Sequence, residues 1–358
     1  MIRANVEYEN AEGQAQSISM VIKTEHEIIG TAIKSEEASS VFRTEISVYT
    51  EVLPKFHAML KQVGDETNLG PRYLYHTLSP QKCIVLEDIV PLGYSILHDR
   101  PLNIEEAKLA YLKLAKWHAL SYKINQENPA FFEQFQYDFM ELLLKNIGGV
   151  IKNGIKQFNE MLDTQPALHK YQTYLKALLP DLIEKCSTVF SEYRLQPHKD
   201  THYVLCHGDF RNKNMMFKRD SENQLKDMLF FDFQLSYVGA MDLDVIYSIF
   251  MMLSKEFRLQ HMEELINYYF TNFQNTLEQL GYGGKMPKII ELREMLMRHG
   301  CFNIFMLVTF LPMFYEMERR RINKSAKKET QQNWYSNKDY LADLEECLPK
   351  YLNMGYLN

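Results

Sequence analysis

Glycine and cysteine are both scarce, and each scarcity excludes something. Only 15 glycines are spread over 358 residues. The first, Gly13, stands alone, so the N-terminal stretch holds no glycine-rich loop of the kind that cradles phosphates. The five cysteines (Cys83, Cys186, Cys206, Cys301, Cys347) are odd in number and form no C-x-x-C pair. That argues against a disulfide framework or a zinc site and fits a reducing compartment. Positive charge is not in excess: the formal net charge is −6, so no nucleic-acid partner is expected. The opening MIRANVEYEN lacks the apolar core of a signal peptide. The longest apolar run, around Phe302 to Phe314, falls short of the roughly 20 residues that span a bilayer, and Pro312 interrupts it. A buried helix in a cytoplasmic protein is expected there, with no membrane partner. Internal repeats and low-complexity segments are absent too. What remains, 46% hydrophobic and 24% charged residues, is ordinary for a globular protein of one large or two modest domains.

The chain changes texture near residue 90. Before it, Ile2, Ala4, Val6 and Tyr8 alternate with polar residues, the period of a half-buried strand. Asn10 to Gly13 supplies a turn, and Ile18 to Ile22 returns and ends in Lys23. Residues 36–60 read as a helix whose Ala38, Val41, Phe42, Glu45, Tyr49 and either Val52 or Leu53 share one face. Glu45 is out of place on that apolar face, because an inward carboxylate is costly unless a cation meets it; Lys23 is the natural candidate. Strands are expected at Tyr73–Tyr75 and Cys83–Leu86, around Ser79-Pro80. After Pro91 and Gly93 the pattern is helical: 104–122, 131–162, 168–194, 242–255, 259–280, 288–317 and 337–352. A strand–loop–strand unit at 203–234 interrupts it. The fold class expected is α+β and bilobal, with a small sheet-plus-helix lobe over 1–90 and a large, mainly helical lobe over 91–358.

The interrupting unit carries the chemistry. A short strand, Val204 to Cys206, runs into His207-Gly208-Asp209, and Asn214 follows five residues after the aspartate. The next apolar run ends in Asp232-Phe233-Gln234. Two carboxylates and a carboxamide at the ends of neighbouring strands suit the holding of a hydroxyl beside a magnesium–nucleotide complex. Asp209 is the candidate to accept or orient a hydroxyl proton, and Asn214 and Asp232 are oxygen ligands of the kind a hard cation takes. Asp209 and Asp232 serving only as turn residues is the plainer alternative. His207 reads as a structural support. Asp242 opens a helix and is expected to cap it or to fasten the loop, while Asp244, two residues on, is expected to be solvated. Arg211 and Lys213 lie within the loop and either could neutralise a phosphate, although Lys213 suits a surface position equally well. Lys23 ends a strand and is expected to meet phosphates while pairing with Glu45. Glu87, Asp88 and Ile89 form the expected hinge against adenine, through backbone groups. The basic run Glu318 to Arg321, continued by Lys324, Lys327 and Lys328, reads as a solvated helix end.

Taken together, Val21-Ile22-Lys23-Thr24, Phe42-x-x-Glu45-x-x-x-Tyr49, Leu86-Glu87-Asp88, Ala115-x-x-His118-Ala119, His207-Gly208-Asp209-x-x-x-x-Asn214, Asp232-Phe233-Gln234 and Asp242-Leu243 resemble the ecdysteroid kinase-like family. The resemblance runs in order to about residue 320. It implies a protein-kinase-like fold, related to choline kinases and aminoglycoside phosphotransferases, and phosphorylation of a hydroxyl on a small apolar molecule, an ecdysteroid or a xenobiotic alcohol. ATP and Mg²⁺ are the implied cofactors and a monomer is expected. The family's Lys, Glu, Asp, Asn and Asp fall on Lys23, Glu45, Asp209, Asn214 and Asp232. In the kinase plan a strand and a phosphate-covering loop precede the hairpin that bears the lysine; here that hairpin begins almost at Met1, so both are expected to be missing. A non-catalytic protein binding a nucleotide or small molecule is therefore the alternative reading.

Overall fold

The computed structural model describes residues 1–24, 35–97, 100–323 and 329–357, with backbone alone for 35–39. It opens on a hairpin of β1 (Ile2–Glu9) and β2 (Ala15–Thr24) in antiparallel register, Ile2 opposite Ile22. Asn10 shapes the turn: its side-chain oxygen accepts the backbone N–H groups of Glu12 and Gln14, the Asx arrangement that favours asparagine there. β2 pairs with β4 (Cys83–Glu87), which pairs with β3 (Tyr73–Thr77), giving the order β1-β2-β4-β3. The alternation of β1 does not produce a half-buried face. Ile2, Val6 and Tyr8 stay 55%, 40% and 44% exposed, because β1 is the outer strand with β2 as its one neighbour in the sheet.

The expected helix over 36–60 is a continuous helical rod. It consists of α1 (Ser35–Ser47), a wider π turn at Val48–Val52 and α2 (Leu53–Gln62). The π turn has a local cause. Pro54 has no N–H to give to the carbonyl four residues back, and its ring would collide with that carbonyl, so the turn before it opens. The same thing happens ahead of Pro312, where a π turn at Met306–Phe310 precedes α11 (Leu311–Ile322). Phe42, Glu45, Tyr49 and Phe56 are all buried along the rod.

The larger lobe is built round α3 (Ile104–Glu127), which starts at a capping box between Asn103 and Glu106 and lies against α8 (Lys255–Gln279). Also helical are α4 (Phe139–Thr164), α5 (His169–Leu178), α6 (Leu182–Leu195), α7 (Asp242–Met252), α9 (Ile289–Arg298), α10 (Gly300–Phe305), α12 (Gln331–Trp334) and α13 (Lys338–Asn353). The single segment expected at 288–317 therefore divides at His299 and runs on to Ile322. Lys324, Lys327 and Lys328 lie outside the described residues. Two strands were not expected. β5 (Tyr94–Ile96) adds to the hairpin of β7 (Met215–Arg219) and β8 (Leu225–Phe230), while β9 (Tyr237–Ala240) pairs with β6 (Tyr203–Cys206). Strands of three or four residues are too short to show a period.

The apolar run near Pro312 is longer as a helix than as a sequence. Gly300–Ile322, 23 residues, is long and apolar enough by composition to cross a membrane, but 67% of its apolar window is buried inside the fold. That is the behaviour of a core helix. His299, at its start, accounts for a pH dependence. Its ring is 1% exposed and lies between Asp242 (2.8 Å) and Glu192 (3.1 Å). Burial opposes the charged ring, but Asp242 and Glu192 outweigh it and lift its pKa to about 9. The folded pKa thus exceeds the unfolded value near 6.5. The stabilisation is full below about pH 6.5 and is lost as pH rises through 9, amounting to about 3 kcal/mol. Urea unfolding between pH 6 and pH 9.5 should show this decline, and His299→Gln should flatten it.

Candidate active site

β6 feeds the chain into His207-Gly208-Asp209, and the bend is made by Gly208. Its φ is +80°, and a Cβ there would come within 2.0 Å of the Leu235 carbonyl oxygen, so glycine alone fits. The loop is fastened from beneath by Asp244. The backbone N–H groups of His207 and Gly208 donate to its two carboxylate oxygens at 2.6 and 3.0 Å, and His118 Nε2 lies 3.2 Å away. Asp244 is 2% exposed, contrary to the solvated position expected for it. Asp242, the expected fastener, faces His299 instead. Two residues apart on a helix, the side chains point about 200° apart, so only one of them can meet the loop.

Asp209 is held on both oxygens. Asn214 Nδ2 donates to Oδ2 at 2.8 Å and also to the Asp209 carbonyl at 2.9 Å. The Tyr247 hydroxyl donates to Oδ1 at 2.5 Å, and Arg211 Nε lies 3.2 Å from the same oxygen. Burial, with Asp209 close by, pushes the Tyr247 phenol well above its ordinary pKa, which keeps it a donor. Tyr247 lies one helical turn beyond Asp244, and no sequence signal marked it. His207 buttresses the loop: its Nδ1 accepts the Asp209 N–H at 3.4 Å and its Nε2 lies 3.2 Å from the Phe231 carbonyl.

The second carboxylate, Asp232, sits at the end of β8. Its φ of +63° is uncommon for any residue but glycine, though aspartate tolerates it. Asn214 is its neighbour across the hairpin, the Phe231 N–H donating to the Asn214 carbonyl at 3.1 Å. Lys23 reaches both Glu45 (2.7 Å) and Asp232 (2.6 Å). Burial disfavours the Lys23 ammonium, but the two carboxylates outweigh it and raise its pKa above the ordinary lysine value. The expected Lys23–Glu45 pair is therefore present, and a bond to Asp232 is added to it. Phe233 locks these parts together. It stacks on Trp117 (5.2 Å between centroids) and meets Tyr49 and His207 edge-on or tilted at 5.3 and 5.2 Å, so the Glu45 helix, the loop and α3 share one aromatic cluster.

Glu87, Asp88 and Ile89, expected as a hinge, have partners within the chain. The Asp88 carboxylate is buried and accepts from Ser19 Oγ (2.8 Å), the Val90 N–H (3.1 Å) and Arg3 Nε (2.6 Å). The Asp88 N–H goes to the Ser19 carbonyl, and the Ile89 carbonyl accepts from the Leu92 and Tyr94 N–H groups. Glu87 faces Arg72 at 3.6 Å, and its N–H donates to the Arg72 carbonyl. An adenine at this edge has to use the backbone groups that remain.

Asp209 is also in the wall of a pocket of about 170 Å³. Its lining is mostly apolar, with Phe139, Tyr237, Phe302, Met306 and Phe310 beside Tyr247. The π turn ahead of Pro312 supplies Met306 and Phe310. The arrangement can hold an apolar molecule with a hydroxyl against a partly buried carboxylate.

The chain is similar to several solved structures. With a microcompartment-associated aminopropanol kinase it shares 13% identity and a TM-score of 0.48, over 99% of this chain and 91% of the other. For a Plasmodium vivax ethanolamine kinase the values are 13%, 0.43, 99% and 82%. For a spectinomycin phosphotransferase, solved with ADP and spectinomycin, they are 12%, 0.40, 95% and 93%. Among curated proteins none matches. Residues 1–282 match the ecdysteroid kinase-like family, and the chain belongs to that family.

Proposed function

We propose that the chain transfers the γ-phosphate of ATP to a hydroxyl of a small apolar molecule, an ecdysteroid or another alcohol of similar character. The observation that carries this is Asp209: a carboxylate held by Asn214, Tyr247 and Arg211 that also forms the wall of an apolar pocket. In this reading Asp209 orients the acceptor hydroxyl and takes its proton. Tyr247 and Asn214 fix the carboxylate's direction, and Arg211 places positive charge where the transferred group arrives. Lys23, kept charged by Glu45, is the group to meet the nucleotide phosphates. The donor set fits a magnesium ion. Asn214 spends its amide nitrogen on Asp209, leaving an oxygen, and Asp232 contributes a carboxylate from the adjacent strand end, both hard ligands. When bound, such an ion neutralises charge on the phosphates. The five free thiols fit a cytoplasmic setting, and a monomer is sufficient for the site as proposed.

A binding protein without turnover is the second reading, and the Lys23–Asp232 bond favours it, since it occupies two groups that a nucleotide complex needs. Thermal unfolding with and without Mg·ATP separates the two. A ligand at 100 times its Kd stabilises the folded state by about 2.7 kcal/mol, so a rise of several degrees is expected at saturating Mg·ATP. Lys23→Met lowers the baseline, because it strands two carboxylates, and it should abolish most of the rise. An apolar alcohol that stabilises the chain where Mg·ATP does not would favour the second reading.

A further inference from the structure

β1 is an outer strand of eight residues, IRANVEYE, with β2 as its one neighbour in the sheet. Edges of this length are commonly blunted by proline, lysine or a bulge. β1 has no proline and no lysine, and its register against β2 runs unbroken from Ile2 to Glu9. Which backbone groups face outward follows from β2. The Asp88 N–H donates to the Ser19 carbonyl at 3.1 Å, so Ser19 turns its backbone groups away from β1, and the even-numbered residues of β2 turn theirs toward it. Those residues, Gln16, Ile18, Met20 and Ile22, stand opposite Tyr8, Val6, Ala4 and Ile2. The Asn10 N–H, bonded to the Gln14 carbonyl at 3.0 Å, continues the same alternation. Arg3, Asn5, Glu7 and Glu9 therefore present their N–H and C=O groups to the open edge, where these groups have no partner among the described residues.

We propose that β1 pairs with β1 of a second copy, antiparallel about a two-fold axis through Asn5, joining two four-stranded sheets into one. The strand is complementary to itself in this register. Its outward-facing residues meet outward-facing residues, as an antiparallel ladder requires. On one face Ile2 packs on the second copy's Tyr8 and Ala4 on its Val6, covering side chains of which Ile2, Val6 and Tyr8 are exposed. On the other face Arg3 meets the second copy's Glu7. Arg3 spends Nε and Nη2 on Asp88, at 2.6 and 3.4 Å, and Nη1 remains for that contact. Apolar and opposite-charge pairs directly across the strands are the ones that stabilise a sheet. An axis through Ala4 or Val6 instead would leave Tyr8 or Ile2 beyond the paired strands. A two-fold contact closes on itself, so the product is a dimer and not a fibre. The proposal does not depend on the phosphotransferase reading.

Sedimentation of the whole chain over a wide range of concentration tests it. A species of twice the chain's mass should appear as concentration rises. Asn5→Pro removes an outward N–H and no bond of the ladder with β2, a place where an edge strand tolerates proline. It should raise the dimer's Kd by about tenfold or more, with the melting temperature of the dilute, monomeric chain nearly unchanged. Glu7→Lys sets like charges opposite each other and should also weaken the dimer, with Glu7→Gln falling between it and the parent. Should Asn5→Pro not fold, the Glu7 variants carry the test alone. A chain that stays monomeric at the highest concentration overturns the proposal, whatever else covers the edge. So does a dimer that folded Asn5→Pro and Glu7→Lys form as tightly as the parent.

Discussion

Asp209→Asn should lower phosphoryl transfer by a factor of about 10²–10⁴, the usual worth of a positioned general base. The amide is nearly isosteric with the carboxylate, so the side chain still fits between Asn214, Tyr247 and Arg211. What it loses is the charge and the proton-accepting oxygen. In the proposed reading, binding of the acceptor comes chiefly from the apolar wall of the pocket, and that wall is unchanged. The loss should therefore fall on kcat, with KM for the acceptor nearly constant, the pattern of an interaction made in the transition state. Stability should change little. Arg211, the cation left without its carboxylate, is 28% exposed, and water can solvate it. Steady-state kinetics against the acceptor, with a denaturation curve beside them, read both quantities.

Asp244→Ala should be the most damaging single change to stability in the loop region, at roughly 2–5 kcal/mol. Two backbone N–H groups, from His207 and Gly208, donate to this carboxylate, in a setting where Asp244 is 2% exposed. Without it a buried donor and a partly buried one are left with no acceptor, each costing about 1–3 kcal/mol. The effect reaches function through position, since Asp209 is one residue beyond Gly208. The rate should fall along with stability. Amide exchange locates the effect: the His207 and Gly208 amides should exchange much faster in the variant than in the parent, while those of α3 keep their protection at matched global stability.

How much of this was legible in the sequence differs from group to group. Asp209, Asn214 and Asp232 come together because the loop after β6 leads directly into the β7–β8 hairpin, so that short spacing along the chain keeps them near one another. Lys23 and Glu45 could be paired because a carboxylate on an apolar helical face demands a cation. The same argument could not assign Asp244. The sequence reading made Asp242 the cap or fastener and Asp244 the solvated one, and which of them faces the loop depends on how α7 is rotated in the finished fold. The expected burial of β1 failed for a related reason: alternation describes a strand's two faces and does not say whether anything covers one of them. The run Phe302 to Phe314 reads as a buried helix; residues 302–309, 311 and 312 are buried, while Phe310, Met313 and Phe314 are partly exposed. That the π turn among them opens a pocket beside Asp209 is a matter of packing, to which the order of apolar residues is blind. The arginines of α11 were read as a solvated helix end, and Arg320 is indeed exposed. Their meeting with Arg211 and Lys213 across a cavity is a long-range juxtaposition.

The most direct test of the central claim is product analysis of the purified chain incubated with Mg·ATP and a hydroxysteroid, with Asp209→Asn run in parallel. The account predicts a phosphate monoester of the steroid and an equal amount of ADP, both reduced to near background in the variant. A steroid that binds but stays unphosphorylated, or ester formed equally well by Asp209→Asn, would contradict it.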